Sequence, residues 1–211
     1  CIPQQGTTNK LDALADRMMN RLAYRNLGSG VEALVISHSV TSGTTNGVRW
    51  YELRRSPANN TLSVNQQGTY AIDATSRWMP SVAMDKVGNI AAGYSAANGS
   101  AVHPSVRATG RLAADPLGTM TQAEVTLVAG SGSQTGTLTR WGDYATMSVD
   151  PTDQCTFWFS TEYLKASGSF NWSTRVSSFQ LPGCSGPITP DFGVTASPNA
   201  ATPSVILTLS R

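Results

Sequence analysis

Three arginines recur along this chain at nearly equal intervals: Arg17, Arg77 and Arg140, 60 and then 63 residues apart. A guanidinium is a planar, permanently charged fork of N–H donors, suited to gripping a carboxylate through two parallel hydrogen bonds and to stacking on aromatic rings. Trp78 and Trp141 directly follow the second and third arginines. If the three copies face one opening, Arg17, Arg77, Arg140, Trp78 and Trp141 form a ligand site for an anionic group. A second reading gives each arginine to its own repeat, where it stacks on its tryptophan or pairs with a local acid.

Asp143 and Tyr144 follow the third arginine closely. A carboxylate or phenol there has the chemistry of a nucleophile or general acid in glycoside cleavage, in which two such groups flank the scissile bond. Glu52 and Glu162 are the other strand-borne acids and the candidate partners. Tyr51, Trp50, Trp158, Trp172 and Tyr163 suit either a platform for sugar rings or the filling between layers. His38 and His103 stand alone without metal-ligand spacing, so no zinc site is expected. Asp150 and Asp153 share a turn that suits calcium or ordinary turn chemistry, the one cofactor in view. Phosphate-loop and Gly-x-Ser-x-Gly motifs are absent from the sequence. Asn59-Asn60-Thr61, Asn98-Gly99-Ser100 and Asn171-Trp172-Ser173 fit the glycosylation pattern, which matters only in a eukaryotic host.

The elements that would carry these residues are strands. Runs rich in Val, Ile, Tyr, Trp and Thr alternate with turn signals such as Gly28-Ser29-Gly30, Thr45-Asn46-Gly47, Gly88-Asn89 and Asn98-Gly99. The one helix-like stretch, residues 9–15, is short. Arg77 to Asp85 lines up with Arg17 to Arg25, and a third copy opens at Arg140-Trp141-Gly142-Asp143. Each copy continues through a second apolar strand to a third that carries its own arginine: Arg49, Arg107 and Arg175. Four strands per roughly 60 residues predicts an all-β chain of about three four-stranded antiparallel blades, a partial β-propeller, since rings need about four to eight. The expected organisation is a lead-in over 1–16, the three-blade segment over 17–185, and a linker with the start of a following β module or an added strand over 186–211.

Composition narrows the class. Only 13% of residues are charged and the net charge is +2, so nothing points to nucleic acid or an anionic membrane surface. Of the 15 basic residues only Lys10, Lys86 and Lys165 are lysines. No apolar run approaches a membrane span, and the first residues do not read as a signal peptide. A bridge between Cys155 and Cys184 would staple the last repeat and implies an oxidising compartment, leaving Cys1 over. Three free thiols are the other reading.

Several segments together resemble a known group: Arg17 to Asn26, Arg49-Trp50-Tyr51-Glu52-Leu53-Arg54, Gln67-Gly68-Thr69-Tyr70, Met84-Asp85 with Gly88-Asn89-Ile90, Gly110-Arg111-Leu112, Arg140 to Tyr144, and Val149-Asp150-Pro151 followed by Cys155-Thr156-Phe157-Trp158. They are similar to the C-terminal half of the sialidase-like propeller of large secreted bacterial proteins, often followed by immunoglobulin-like modules. Sialidases bind their acidic sugar with an arginine cluster, yet the Asp-boxes here, around Asp85 and Asp150, are degenerate. The resemblance therefore implies the fold more than catalysis. The expected function is an extracellular module that binds glycan or protein through its loop face, with upstream blades or a second copy of the chain as partner. The alternative is a sialidase-type glycoside hydrolase.

Overall fold

The computed structural model describes residues 1–143 and 145–185 in full and the strands Gly193–Pro198 and Val205–Ser210 by their backbone. Among these residues every regular element is a strand. The stretch 9–15 is no helix. At seven residues it falls well below the ~12–15 that a marginally stable helix needs, and its Lys10–Leu11 pairs with another strand.

β1 (Ile2–Pro3) and β2 (Lys10–Leu11) form that small antiparallel pair. β3 (Ala23–Asn26), β4 (Glu32–Ser42), β5 (Thr45–Arg55) and β6 (Leu62–Tyr70) then make a four-stranded meander. β7 (Ser76–Met84), β8 (Ile90–Ala97), β9 (Ser105–Arg111) and β10 (Val125–Val128) repeat it. β11 (Thr146–Val149), β12 (Phe157–Leu164) and β13 (Trp172–Phe179) form a third sheet of three strands among the described residues. β14 (Gly193–Pro198) and β15 (Val205–Ser210) pair as a hairpin. The chain is thus all-β, with three blade-like antiparallel sheets in succession. One turn sits earlier than the sequence suggests. Thr45-Asn46-Gly47 opens β5, and the reversal falls at Gly43-Thr44, where Gly43 supplies the positive φ of 59° that a two-residue hairpin requires.

The three sheets stack face to face with the second in the middle. Burial patterns follow from that position. In β4 buried and half-buried residues alternate, as in a strand with one covered face, whereas β7 and β8 are buried at every position. Val82, Met84, Ile90, Ala92 and Tyr94 pack with Ala33, Val35, Val48 and Trp50 of the first sheet. The alternate residues Ala83 and Ala91 pack with Met147, Phe157 and Phe159 of the third. Gly93 belongs to this second interface: a Cβ there would fall 2.6 Å from the Phe159 ring, so only glycine lets the ring lie on the strand. A third cluster joins Ile2 and Leu11 to Trp78, Met79, Trp141 and Leu164, seating the N-terminal pair against the second and third sheets.

Polar groups also cross the middle sheet. The fully buried Arg77 of β7 donates Nε–H and Nη2–H to the two oxygens of Glu124, at 2.7 and 3.0 Å. Its remaining donors reach Asp73 and the Thr75 carbonyl, so the whole fork is satisfied. Glu124 also accepts from Tyr94 of β8 and from Arg107 of β9, both at 2.8 Å. The Tyr70 ring of the first sheet lies over the guanidinium, 5.5 Å away. Burial opposes the charge of Glu124, but the hydrogen bonds from Arg77 and Tyr94 outweigh it and hold the carboxyl below its ordinary range.

The expected bridge is present: Cys155 and Cys184 are joined, closing 29 residues around β12 and β13. Among the described residues no helix is long and apolar enough to cross a membrane.

Two outcomes follow from these contacts. A loop of that size contributes about 2–4 kcal/mol through restriction of the unfolded chain, so reductant, or Cys155→Ala with Cys184→Ala, lowers the thermal midpoint in a circular-dichroism melt. Hydrogen bonding by Arg77 lowers the Asp73 pKa to about 2. That contribution is complete above the unfolded value of about 3.9 and is lost as pH falls through about 2. Urea titrations across this range show a steeper acid loss for wild type than for Asp73→Asn.

Candidate functional site

The loops at one end of the third sheet line an open cleft of about 260 Å³, formed by Gln134, Arg140, Trp141, Gly142, Asp143, Glu162, Phe170 and Trp172 among others. Each side chain is there for a local reason. Segment 131–135 runs beside the β12–β13 connection: Ser131 N–H donates to the Leu164 carbonyl at 2.9 Å, Gly168 N–H to Ser133, and Thr135 N–H to Gly168. Contact is so close that a Cβ on Gly132 would lie 2.1 Å from the Ala166 backbone. Gln4, from the N-terminal pair, braces the segment from behind. Its side-chain amide donates to the Gln134 carbonyl at 3.1 Å and accepts from the Gln134 N–H at 2.8 Å. The hairpin shoulder so held presents Phe170 and Trp172, which are 68% and 47% exposed with ring centroids 5.7 Å apart.

Opposite them, the Gln134 side chain donates to the Arg140 carbonyl at 2.8 Å. Trp141 is buried against Trp78, its indole N–H on Ser95 at 3.0 Å. Gly142 N–H donates to Glu162 Oε1 at 3.0 Å. With three successive backbone positions fixed, Arg140 and Asp143 line the cavity and form an ion pair. The second oxygen of Asp143, Oδ1, is buried and has no hydrogen-bond partner. Burial pushes the Glu162 carboxyl above its ordinary range, and the Asp143 charge adds to this against the Gly142 hydrogen bond. The cleft therefore combines a cation, a carboxylate with an idle acceptor, an acid biased toward its protonated form, and two exposed rings. This set can hydrogen-bond hydroxyls and stack on a sugar face.

The residues expected to share one opening divide. Arg17 is exposed, pairs with Asp16 at 3.1 Å, and lines a second cavity that shares Arg140 and Asp143 with the first. Arg77 stands apart, since all its donors are spent inside the middle sheet. Trp78 is fully buried, whereas Trp141, 1% exposed, contributes to the lining of the first cavity. Arg77 and Trp78 sit as the second reading of the repeat has them, inside their own sheet. Their burial has a physical cause: β7 runs on through an irregular register at Met79, carrying Arg77 and Trp78 into the interior, whereas Arg17 and Arg140 precede their strands. Tyr144 lies outside the described residues.

Other candidates make contacts within the sheets and turns. Glu52 is 1% exposed and holds Arg54 and Gln66, while Trp50 belongs to the first interface. Tyr51 stacks with His38, and Trp158 donates its indole N–H to Asp150. Tyr163 packs against the second interface. His103 bonds Ser133. Asp150 and Asp153, considered for calcium, accept hydrogen bonds from Thr152, Trp158, Cys155, Thr156 and Gln180. Among the described residues no group of three His, Cys, Asp or Glu is placed to hold a metal ion. Phe170 went unread in the sequence. Its signal is two aromatics flanking Asn171 on a hairpin shoulder, visible only once the hairpin is known.

Comparison with protein-family models, curated proteins and solved structures finds no match to the chain.

A carbon-detected NMR titration tests the electrostatics. The Glu162 carboxyl titrates above the ordinary ~4.3, and Asp143→Asn moves its midpoint down by removing the neighbouring charge. A folded pKa above the unfolded one means stability declines as pH rises between the two, and Glu162→Gln abolishes that decline.

Proposed function

We propose that this chain is an extracellular glycan-binding module of sialidase-like propeller type, with the Trp172 cleft as its binding site. The observation that carries the reading is the exposed Phe170–Trp172 pair facing Arg140, Asp143 and Glu162 across a braced cavity. Rings supply a stacking face at little entropic cost, and the charged groups opposite supply directional hydrogen bonds. Three successive meander sheets stacked face to face support the propeller reading, in which upstream blades or a second copy complete a ring. The Cys155–Cys184 bridge supports an oxidising, secreted setting.

Glycan-array screening followed by titration calorimetry tests the proposal. Trp172→Ala weakens the best glycan about tenfold or more, or about 1.4 kcal/mol, with the thermal midpoint unchanged. Binding that survives this substitution undiminished sinks the assignment of the cleft.

One observation favours a second reading, glycoside hydrolysis: the raised Glu162 carboxyl beside Asp143 has the features of a general acid with a nearby carboxylate. A panel of fluorogenic glycosides separates the two. Turnover abolished by Glu162→Gln establishes a hydrolase; no turnover by wild type leaves a binding module.

A further inference from the structure

The cleft does not end at Arg140. The second cavity, about 410 Å³, shares Arg140 and Asp143 with it, and a third of about 220 Å³ shares Arg21 and Leu22 with the second. Each is near or below the low end of the range for a compact ligand, about 300–1,000 Å³. Through these shared lining residues the three cavities lie in series from Trp172, past Arg140 and Arg17, to the first strands of the three sheets.

The middle of this series is built rather than incidental. Met19 N–H donates to the Ser37 carbonyl at 2.9 Å and Met19 is buried. The Asn20 carbonyl accepts from Ser81 at 2.9 Å. Pinned at these two residues, the segment 17–22 offers the neighbours on either side, Arg17 and Met18, Arg21 and Leu22, as exposed side chains. The lining there holds three arginines against one carboxylate, Asp143. Arg17 also faces Asp16, and Asp12 is near enough to act on it. In the lining of the third cavity, Arg25 is tied to the Met84 carbonyl and Gln154.

Resting on the glycan-binding reading, we infer that this series of cavities takes an extended acidic polysaccharide, one sugar stacking at Phe170 and Trp172 and the anionic groups of further units meeting Arg17 and Arg21. A lone acidic sugar would reach only one end. Apolar Met18 and Leu22 between the cations suit the weakly polar faces of sugar rings better than a uniform phosphate backbone, which favours a glycan over other polyanions.

Calorimetric titration with oligogalacturonates of two, four and six units, with cellohexaose and with a six-nucleotide oligothymidine, tests this. The expected result is affinity that rises with uronate length, with the hexamer binding at least about tenfold tighter than cellohexaose at low salt. Arg17→Ala with Arg21→Ala cancels the gain with length, while its melting curve matches wild type. Affinity independent of length, or a double variant that keeps the gain, overturns the extended site; Trp172→Ala still abolishing binding would then leave the cleft reading standing. Oligothymidine bound as tightly as the hexauronate overturns the choice of a glycan. No binding of any saccharide overturns both.

Discussion

A guanidinium with no access to water is among the costlier groups a small protein can bury, and Arg77 shows what makes it tolerable. Every N–H it owns has an acceptor, and its main partner, Glu124, is shared with Tyr94 and Arg107. One carboxylate just ahead of β10 thereby touches side chains from β7, β8 and β9. Removing Glu124 would leave Arg77 with Asp73 and the Thr75 carbonyl alone, and would take from Tyr94 and Arg107 their shared acceptor. The middle sheet is the layer on which both neighbours pack, so its internal alignment sets the spacing of both interfaces.

From that layer outward, each functional element is held by something already fixed. Trp141 is anchored in the core, so Arg140 and Asp143 on either side have little freedom of direction. The hairpin with Phe170 and Trp172 is braced by 131–135, and that segment by Gln4. The result is a cleft of loop residues with the stiffness of a sheet, which reduces the ordering cost of binding.

The strands were legible in the sequence because their cause is local: alternation, β-branched residues and Gly-containing turns. The all-β class read correctly for that reason, and the Cys155–Cys184 pairing because the two cysteines flank the last repeat. The arginine repeat was visible too, yet sequence could not tell its members apart. Arg77 and Arg140 both precede a tryptophan, and only three-dimensional contacts distinguish them. Asp73 and Glu124 meet Arg77, the latter from 47 residues away, whereas Arg140 is exposed and pairs with Asp143. Glu162 looked like one acid among several until Gly142 and Asp143 were beside it. Phe170 escaped because a lone phenylalanine in a polar stretch carries no sign of exposure.

The brace at Gln4 has a kinetic side. Its hydrogen bonds to Gln134 span 130 residues, and the Ser133–Gln5 bond spans 128. Such contacts raise the contact order of a chain, because the entropy of loop formation must be lost before they give any return. During synthesis the N-terminal pair emerges long before its acceptor and must wait through two complete sheets. The cleft is therefore complete only once these two distant parts of the chain have met.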